Sequence, residues 1–343
     1  KKLNMSKKNS SVNLKDGFKD FKELSNIFKN FKNKLDRLNK KSYTVAVSGG
    51  SDSLALVALT KAYSFTKKIK FRYVLVDHNI RKNSANEAKQ VKNLLKKKKI
   101  NLNIIVNKQK IINNIQGQAR NIRYEILSNY CKKNKIKTLL TAHNLEDQVE
   151  TFFIRLSRGS GLKGLSAMRP LSRIGNKIDL YRPLLDTKKI FLIKISKIIF
   201  KKYFKDPSNN NFKYLRTKIR NLKKPLKKSG IEYEQIIKSI NNLALSKNTL
   251  EGYFKEIFKD LIKKDSKEIL INFKKFKELN REVKIAVINE SIKQLKNNYY
   301  NLRSKKVNNL IRSIQKSNFK KATLGGCVFI LKKDNLCLKI DKT

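Results

Sequence analysis

The sequence predicts an α/β fold: a parallel-sheet domain, then a helical domain, then a short C-terminal β-hairpin segment. Three observations carry that expectation. Between about residues 43 and 157, short β-branched runs alternate with stretches of helix length, the rhythm of a parallel sheet with right-handed crossovers. From about Ile231 the pattern becomes mostly helical. The last segment, ATLGGCVFILKKDNLCLKI, places two β-type runs around Lys332-Lys333-Asp334-Asn335, which reads as a hairpin.

Taken in order, residues 1–13 are expected to form a disordered basic lead. Phe18, Phe21, Leu24, Phe28, Phe31, Leu35 and Leu38 recur at steps of three and four, an amphipathic helix whose stripe packs on a core. Strands are expected at 43–48, 71–78, 102–106 and 138–143, with helices at 52–65, 84–99, 118–133 and 145–157 between and after them. Further helices are expected at 232–262, 277–297 and 303–316. The run PLKKSG from Pro225 to Gly230 breaks both patterns, so the expected domains are 14–228 and 229–343.

The chain has 343 residues, with 81 basic against 26 acidic side chains and a formal charge of +55. Such a balance points to a polyanionic partner, since neutralising phosphates releases their counterions. Part of the charge is a general excess of lysine. Arginine is the more telling cation: ten of the fifteen fall between Arg81 and Arg220, where a planar fork would grip phosphate or carboxylate. Three cysteines without a CxxC pair and only two histidines argue against a closed zinc site and suit a reducing, cytoplasmic location. The lead KKLNMSKKNSS has no apolar run behind it, so no secretory signal is expected. No uncharged apolar stretch approaches the ~18 residues of a membrane span.

The strongest local signal is Ser48-Gly49-Gly50-Ser51-Asp52-Ser53, directly after a β-branched strand and before a helix. Two glycines let the backbone turn so that several N–H groups converge, and the helix start adds its positive dipole end. Ser48, Ser51 and Ser53 supply hydroxyls, and Asp52 suits a Mg²⁺ bridging phosphate oxygens. The competing reading is an ordinary turn between strand and helix. No GxxxxGK[ST] occurs. The GxGxxG run at Gly159–Gly164 follows a helix rather than the strand that a dinucleotide fingerprint needs, and it reads as a loop.

This hexapeptide resembles the PP-loop of the N-type ATP pyrophosphatases, and the remaining motifs resemble those of the tRNA(Ile)-lysidine synthetase family. A DHxxR element stands at Asp77-His78-Asn79-Ile80-Arg81, and an AR-x-x-RY element at Ala119-Arg120-Asn121-Ile122-Arg123-Tyr124. The block from Ala142 to Thr151 carries His143, Asp147, Glu150 and Thr151, followed by Arg155 and Arg158-Gly159-Ser160-Gly161. Arg182-Pro183-Leu184-Leu185 and Asp206-Pro207-Ser208-Asn209, with Arg216 and Arg220, complete the set in the family's order. The family's usual second histidine is Asn144 here, which cannot titrate, and its usual aspartate is Glu146, one methylene longer.

The resemblance implies a PP-loop ATP pyrophosphatase domain over 14–228, followed by a tRNA-binding domain. It implies ATP and Mg²⁺ as cofactors, with a CAU-anticodon tRNA(Ile) and L-lysine as substrates. ATP would adenylate C2 of the wobble cytidine, and the lysine ε-amine would displace AMP to give lysidine. Ser48 to Ser53, His78 and Arg158 would hold ATP, with Asp52 and then Asp147 on the metal. Asp52, Asp77, His143, Asp147, Arg120 and Arg123 would form the catalytic group. Arg81, Glu150, Thr151, Arg155, Arg182, Asn209, Arg216 and Arg220 would contact substrate or tRNA. The carboxylate acting as base stays open among Asp77, Glu146, Asp147 and Glu150, and the assembly state stays open too, a homodimer included. The alternatives are another PP-loop enzyme, a tRNA thiolase or an amide-forming ligase, and a non-catalytic RNA-binding protein.

Overall fold

The computed structural model describes residues 22–81, 83–111, 115–175, 178–204, 215–265, 268–296, 302, 304–316 and 318–341. The basic lead, Phe18, Phe21 and the segment Asp206–Asn209 lie outside them. By its contacts the chain divides into two compact units, residues 1–243 and 244–343. The division falls within the long helix Tyr233–Leu261, beyond the Pro225–Gly230 break.

The first unit is built on a six-stranded sheet of order β3-β2-β1-β4-β6-β5. Its strands are β1 (Ser42–Val47), β2 (Lys70–Asp77), β3 (Leu102–Val106), β4 (Thr138–Leu140), β5 (Leu171–Ile174) and β6 (Ile178–Tyr181). All neighbours pair in parallel except β5 with β6. Both faces are covered, which is why β1 reads as a nearly unbroken apolar run rather than an alternating one.

The helices of this unit are α1 (Lys22–Leu38), α2 (Ser51–Ser64), α3 (Ser84–Lys96), α4 (Ile115–Lys133), α5 (Leu145–Leu156), α6 (Leu162–Leu165), α7 (Lys189–Phe200), α8 (Leu215–Asn221) and α9 (Lys223–Lys228). The stripe expected of α1 turns inward, burying Leu24, Phe31 and Leu35. Phe31 meets Tyr63 of α2 edge to face at 6.5 Å. Helix α2 is buried from Leu54 through Leu59. A helix apolar on every side has no solvent face, and α2 shares its core with β1, α1 and α7. The segment KIFLIKISKIIF contains five isoleucines, which by propensity alone suit a strand. It folds as α7 because Leu192, Ile195, Ile199 and Phe200 can all be buried in that core.

The second unit holds a five-stranded antiparallel sheet of order β7-β8-β11-β10-β9. The strands are β7 (Ile262–Lys264), β8 (Glu268–Asn272), β9 (Lys321–Leu324), β10 (Cys327–Lys332) and β11 (Asn335–Ile340). The expected hairpin is β10–β11: Lys332 pairs with Asn335 across a two-residue turn, and Lys333 takes the left-handed conformation, φ 47°, that such turns favour. Around it β8 and β9 extend a larger sheet than the sequence suggested. Helices α11 (Phe273–Glu278), α12 (Arg281–Leu295) and α13 (Ser304–Ile314) belong to the same unit. Ile269, Ile271, Val287, Ile288, Phe329 and Leu338 lie in its core. Tyr233–Leu261, the helix within which the units divide, is α10.

Candidate active site

The sheet order reverses between β1 and β4, and open α/β sheets bind ligands at such a switch, beyond the carboxyl ends of the strands. Register places the predicted residues there. Val45 pairs with Leu140, so Ser48 and His143 each stand three residues further on, along strands about 5 Å apart. On the other side Val47 pairs with Leu75, which brings Asp77 and His78 to the same edge.

The loop after β1 is held open by its own side chains. Ser48 donates through its backbone N–H and its hydroxyl to Ser53 Oγ, both at 3.2 Å, and Ser53 Oγ donates to the Gly50 carbonyl at 3.0 Å. Gly50 is the N-cap of α2, and no side chain caps that helix start, so its first N–H groups remain available to an anion. Gly49 has φ +80°, and a Cβ there would lie 2.6 Å from Val91 Cγ2. Replacing Gly49 with Ala should therefore combine backbone strain with a clash, together costing about 1–3 kcal/mol. ATP affinity and melting temperature should both fall. Calorimetric binding of ATP checks this, and an unchanged affinity would show that the loop tolerates a side chain.

Burial pushes the Asp52 carboxyl above its ordinary range; Lys189 opposes the shift, and Asp147 adds to it. Ser51 Oγ donates to Asp52 Oδ1 at 3.1 Å, and the Lys189 ammonium lies 3.6 Å from Oδ2. Two mutually repelling carboxylates suit a hard divalent cation. Among the described residues no cluster of three or more His, Cys, Asp or Glu gathers. A Mg²⁺ here would thus take Asp52 and Asp147, with phosphate and water completing its shell.

The block after β4 explains its departure from the family pattern. Asn144 caps α5 in a reciprocal box: its Oδ1 accepts from the Asp147 N–H at 3.0 Å, and its own N–H donates to Asp147 Oδ2 at 3.1 Å. Asparagine is among the best N-caps, so the position has a structural use that needs no titration. Glu146 accepts from the backbone N–H of Lys189 at 2.8 Å and from Lys223 Nζ at 3.4 Å, which ties the start of α7 to α5. Thr151 Oγ1 donates to the Asp147 carbonyl at 2.7 Å. Glu150 is buried between two guanidiniums, accepting from Arg216 Nε at 2.7 Å and Arg220 Nε at 2.6 Å. Arg216 also reaches Asp147, at 3.6 Å.

Arginines dominate the rest of the edge. Arg120 and Arg123 lie over the Tyr124 ring, 5.1 and 5.8 Å from its centroid. Arg182 donates to the Arg169 carbonyl and to Ser172 Oγ, each at 2.8 Å, while its buried Nε has no partner. Burial lowers the pKa of Arg123, and Arg120 and Arg216 lower it further. His143 shows the same field from inside: burial first, then Arg182, Arg120, Arg123 and Arg216, hold its imidazole well below the ordinary 6.5. Its Nδ1 lies 3.0 Å from Thr141 Oγ1. His78 is lowered by burial and by Arg123, against Asp77. Asp77 accepts from the Asn79 N–H at 2.9 Å, holding the turn after β2. Crowded, partly desolvated guanidiniums of this kind await a polyanion.

Three predicted residues are placed differently, although Arg155 still shares the electrostatic field of Arg120 and Arg182. Arg158 is exposed past the end of α5, roughly 20 Å along the helix axis from Asn144. Arg155 turns onto the Gly164 and Ala167 carbonyls, at 2.7 and 2.8 Å, and shapes the glycine loop. Arg81 is exposed and pairs with Glu87 at 3.1 Å. Asn209 lies outside the described residues. Two residues that sequence reasoning missed are Lys189 and Ser196, whose hydroxyl donates to the Ser51 carbonyl at 2.5 Å. Their partners in the phosphate loop, Asp52 and Ser51, lie more than a hundred residues upstream, and no local pattern marks such contacts.

Comparison with known proteins agrees with this geometry. A family model described as a PP-loop domain matches residues 22–226. The tRNA(Ile)-lysidine synthase of Wolbachia pipientis wMel is 36% identical over 310 residues, covering 89% of this chain and 72% of that protein. The enzyme of the same name from Wolbachia sp. subsp. Brugia malayi is 34% identical over 313 residues, with the same coverage. Among solved structures, the U34-tRNA thiolase NcsA from Methanococcus maripaludis superposes with a TM-score of 0.52 at 18% identity. It covers 63% of this chain and 78% of its own, a likeness of fold.

Proposed function

The chain belongs to the tRNA(Ile)-lysidine synthase family of PP-loop enzymes, and from that premise we propose that it joins L-lysine to C2 of the wobble cytidine of a CAU-anticodon tRNA(Ile), cleaving ATP to AMP and pyrophosphate through an adenylated tRNA. One observation supports this most: an uncapped helix start, the coupled carboxyls of Asp52 and Asp147 and a half-buried arginine cluster meet at one switch point of the sheet. The uncapped N–H groups and the serine hydroxyls take phosphate oxygens. Mg²⁺, held by Asp52 and Asp147, supplies charge neutralisation along the polyphosphate when bound.

Arg120 and Arg123 stabilise the negative charge that grows at the α-phosphate during adenylation. His143 stays neutral and serves as a hydrogen-bonding group rather than a proton carrier. The lysine ε-amine must lose a proton before attack. An ammonium brought beside several guanidiniums is disfavoured by like charge, so the cluster itself helps to neutralise it. Arg216 and Arg220, anchored by Glu150, fix the wall where the substrate enters. The distributed lysines and arginines of the surface hold the tRNA backbone. A thiolase reading finds little support in the thiols: Cys131, Cys327 and Cys337 are all buried, and burial pushes each up in pKa, the opposite of a reactive cysteine.

ATP–pyrophosphate exchange, measured with and without tRNA, tests the reading. Exchange should depend on a CAU-anticodon tRNA(Ile) and should not require lysine. Exchange that is equally fast without tRNA would instead fit an amide-forming ligase acting on a small acid.

A further inference from the structure

Lys189 is the first residue of α7, and two ties hold that helix, one to α5 and one to the phosphate loop. Its backbone N–H donates to Glu146, and one helical face further on Ser196 donates to the carbonyl of Ser51. The helix therefore cannot carry the lysine away, and only the side chain is free to move. Its ammonium stands 3.6 Å from Asp52 Oδ2, longer than a hydrogen bond, with the side chain 37% exposed. This is a loosely held, accessible cation placed against the carboxylate proposed to take Mg²⁺.

The same carboxylate cannot serve both cations equally. A divalent ion arriving at Asp52 repels the ammonium and brings a polyphosphate with it, so the nearest available negative charge becomes the phosphate oxygens. The loop's other donors, the N–H groups at the start of α2 and the hydroxyls of Ser48 and Ser53, are neutral. They leave the charge of the pyrophosphate leaving group to be met by the cations around it. We propose that Lys189 is a polyphosphate ligand, releasing Asp52 to contact the β- and γ-phosphate oxygens of bound ATP and then the pyrophosphate product. Arginine would serve equally well there, since the role needs a charged donor on a long stem.

This inference rests on the reading of the loop as an ATP site, and binding measurements separate the two. Inorganic tripolyphosphate, ATP and AMP would be titrated calorimetrically, with Mg²⁺, into the full chain and into Lys189→Ala and Lys189→Arg. Both variants keep the backbone tie to Glu146. Loss of one charge-assisted contact should weaken tripolyphosphate and ATP by about tenfold or more in Lys189→Ala. AMP affinity should stay within about twofold, and Lys189→Arg should retain most of the tripolyphosphate affinity. Equal weakening of AMP and tripolyphosphate would make the lysine a structural residue and overturn the proposal, as would unchanged affinity for all three. Wild-type protein that binds neither ATP nor tripolyphosphate would overturn the ATP-site reading together with it.

Discussion

Replacing Asp52 with Ala should cut AMP formation by on the order of 10²–10³-fold while leaving the protein at least as stable as the parent. The two effects have one cause. Burial and Asp147 hold the Asp52 carboxyl above its ordinary 3.8. A carboxylate whose pKa is raised on folding costs stability at every pH above that ordinary value. Removing it relieves the cost and also removes the proposed metal ligand. Affinity for tRNA should change little, because distributed cationic contacts carry it. Quenched-flow AMP assays with parallel thermal melts check the pair of outcomes. A variant with normal turnover would reduce the loop to a turn. A variant that melts well below the parent would contradict the electrostatic account of Asp52.

Replacing Glu150 with Ala should act in the opposite way, through stability first. Its carboxylate is 4% exposed and meets Arg216 and Arg220 at 2.7 and 2.6 Å. Without it two guanidiniums face a pocket already crowded with Arg120, Arg123 and Arg182. Breaking a buried pair from one side costs 3–5 kcal/mol, and both arginines are about one-third exposed, so about 3 kcal/mol is expected. For a unit of this size that lowers the melting temperature by about 6–12 °C. It also frees α8 from α5, so substrate affinity should fall with it. Glu150→Ala with Arg220→Ala should lose less than the sum of the two single changes. Additive losses in that cycle would mean the ion pair is not formed in solution.

How much of this was legible in the sequence depends on the range of the interactions concerned. β3 could be read from its flanks because a short β-branched run between helices has one reading. The positions of Ser48, Asp77 and His143 at the ends of strands followed from the strand–helix rhythm, and the register brought those ends together. What stayed hidden depends on contacts distant in sequence. The isoleucine-rich α7 is helical because of the core it meets. β5 and β6 are four residues each, too short to show a period. β7, β8 and β9 are ordered by the hairpin β10–β11, which is local and was readable. At the site, Asn144 looked like a lost histidine until its capping geometry was seen. Lys189 was one lysine among many until α7 placed it beside Asp52, and the exposed place of Arg158 past the end of α5 was equally hidden.

Incorporation of radiolabelled L-lysine into purified tRNA shows whether this site joins the two, as proposed. The label should enter a CAU-anticodon tRNA(Ile) only when ATP and Mg²⁺ are both present, with one AMP formed per lysine. A methionine tRNA with the same anticodon should be a poor acceptor, because register on the tRNA body is fixed outside the anticodon. Incorporation of sulfur or another amine, with lysine excluded, would contradict the account while leaving the PP-loop chemistry standing.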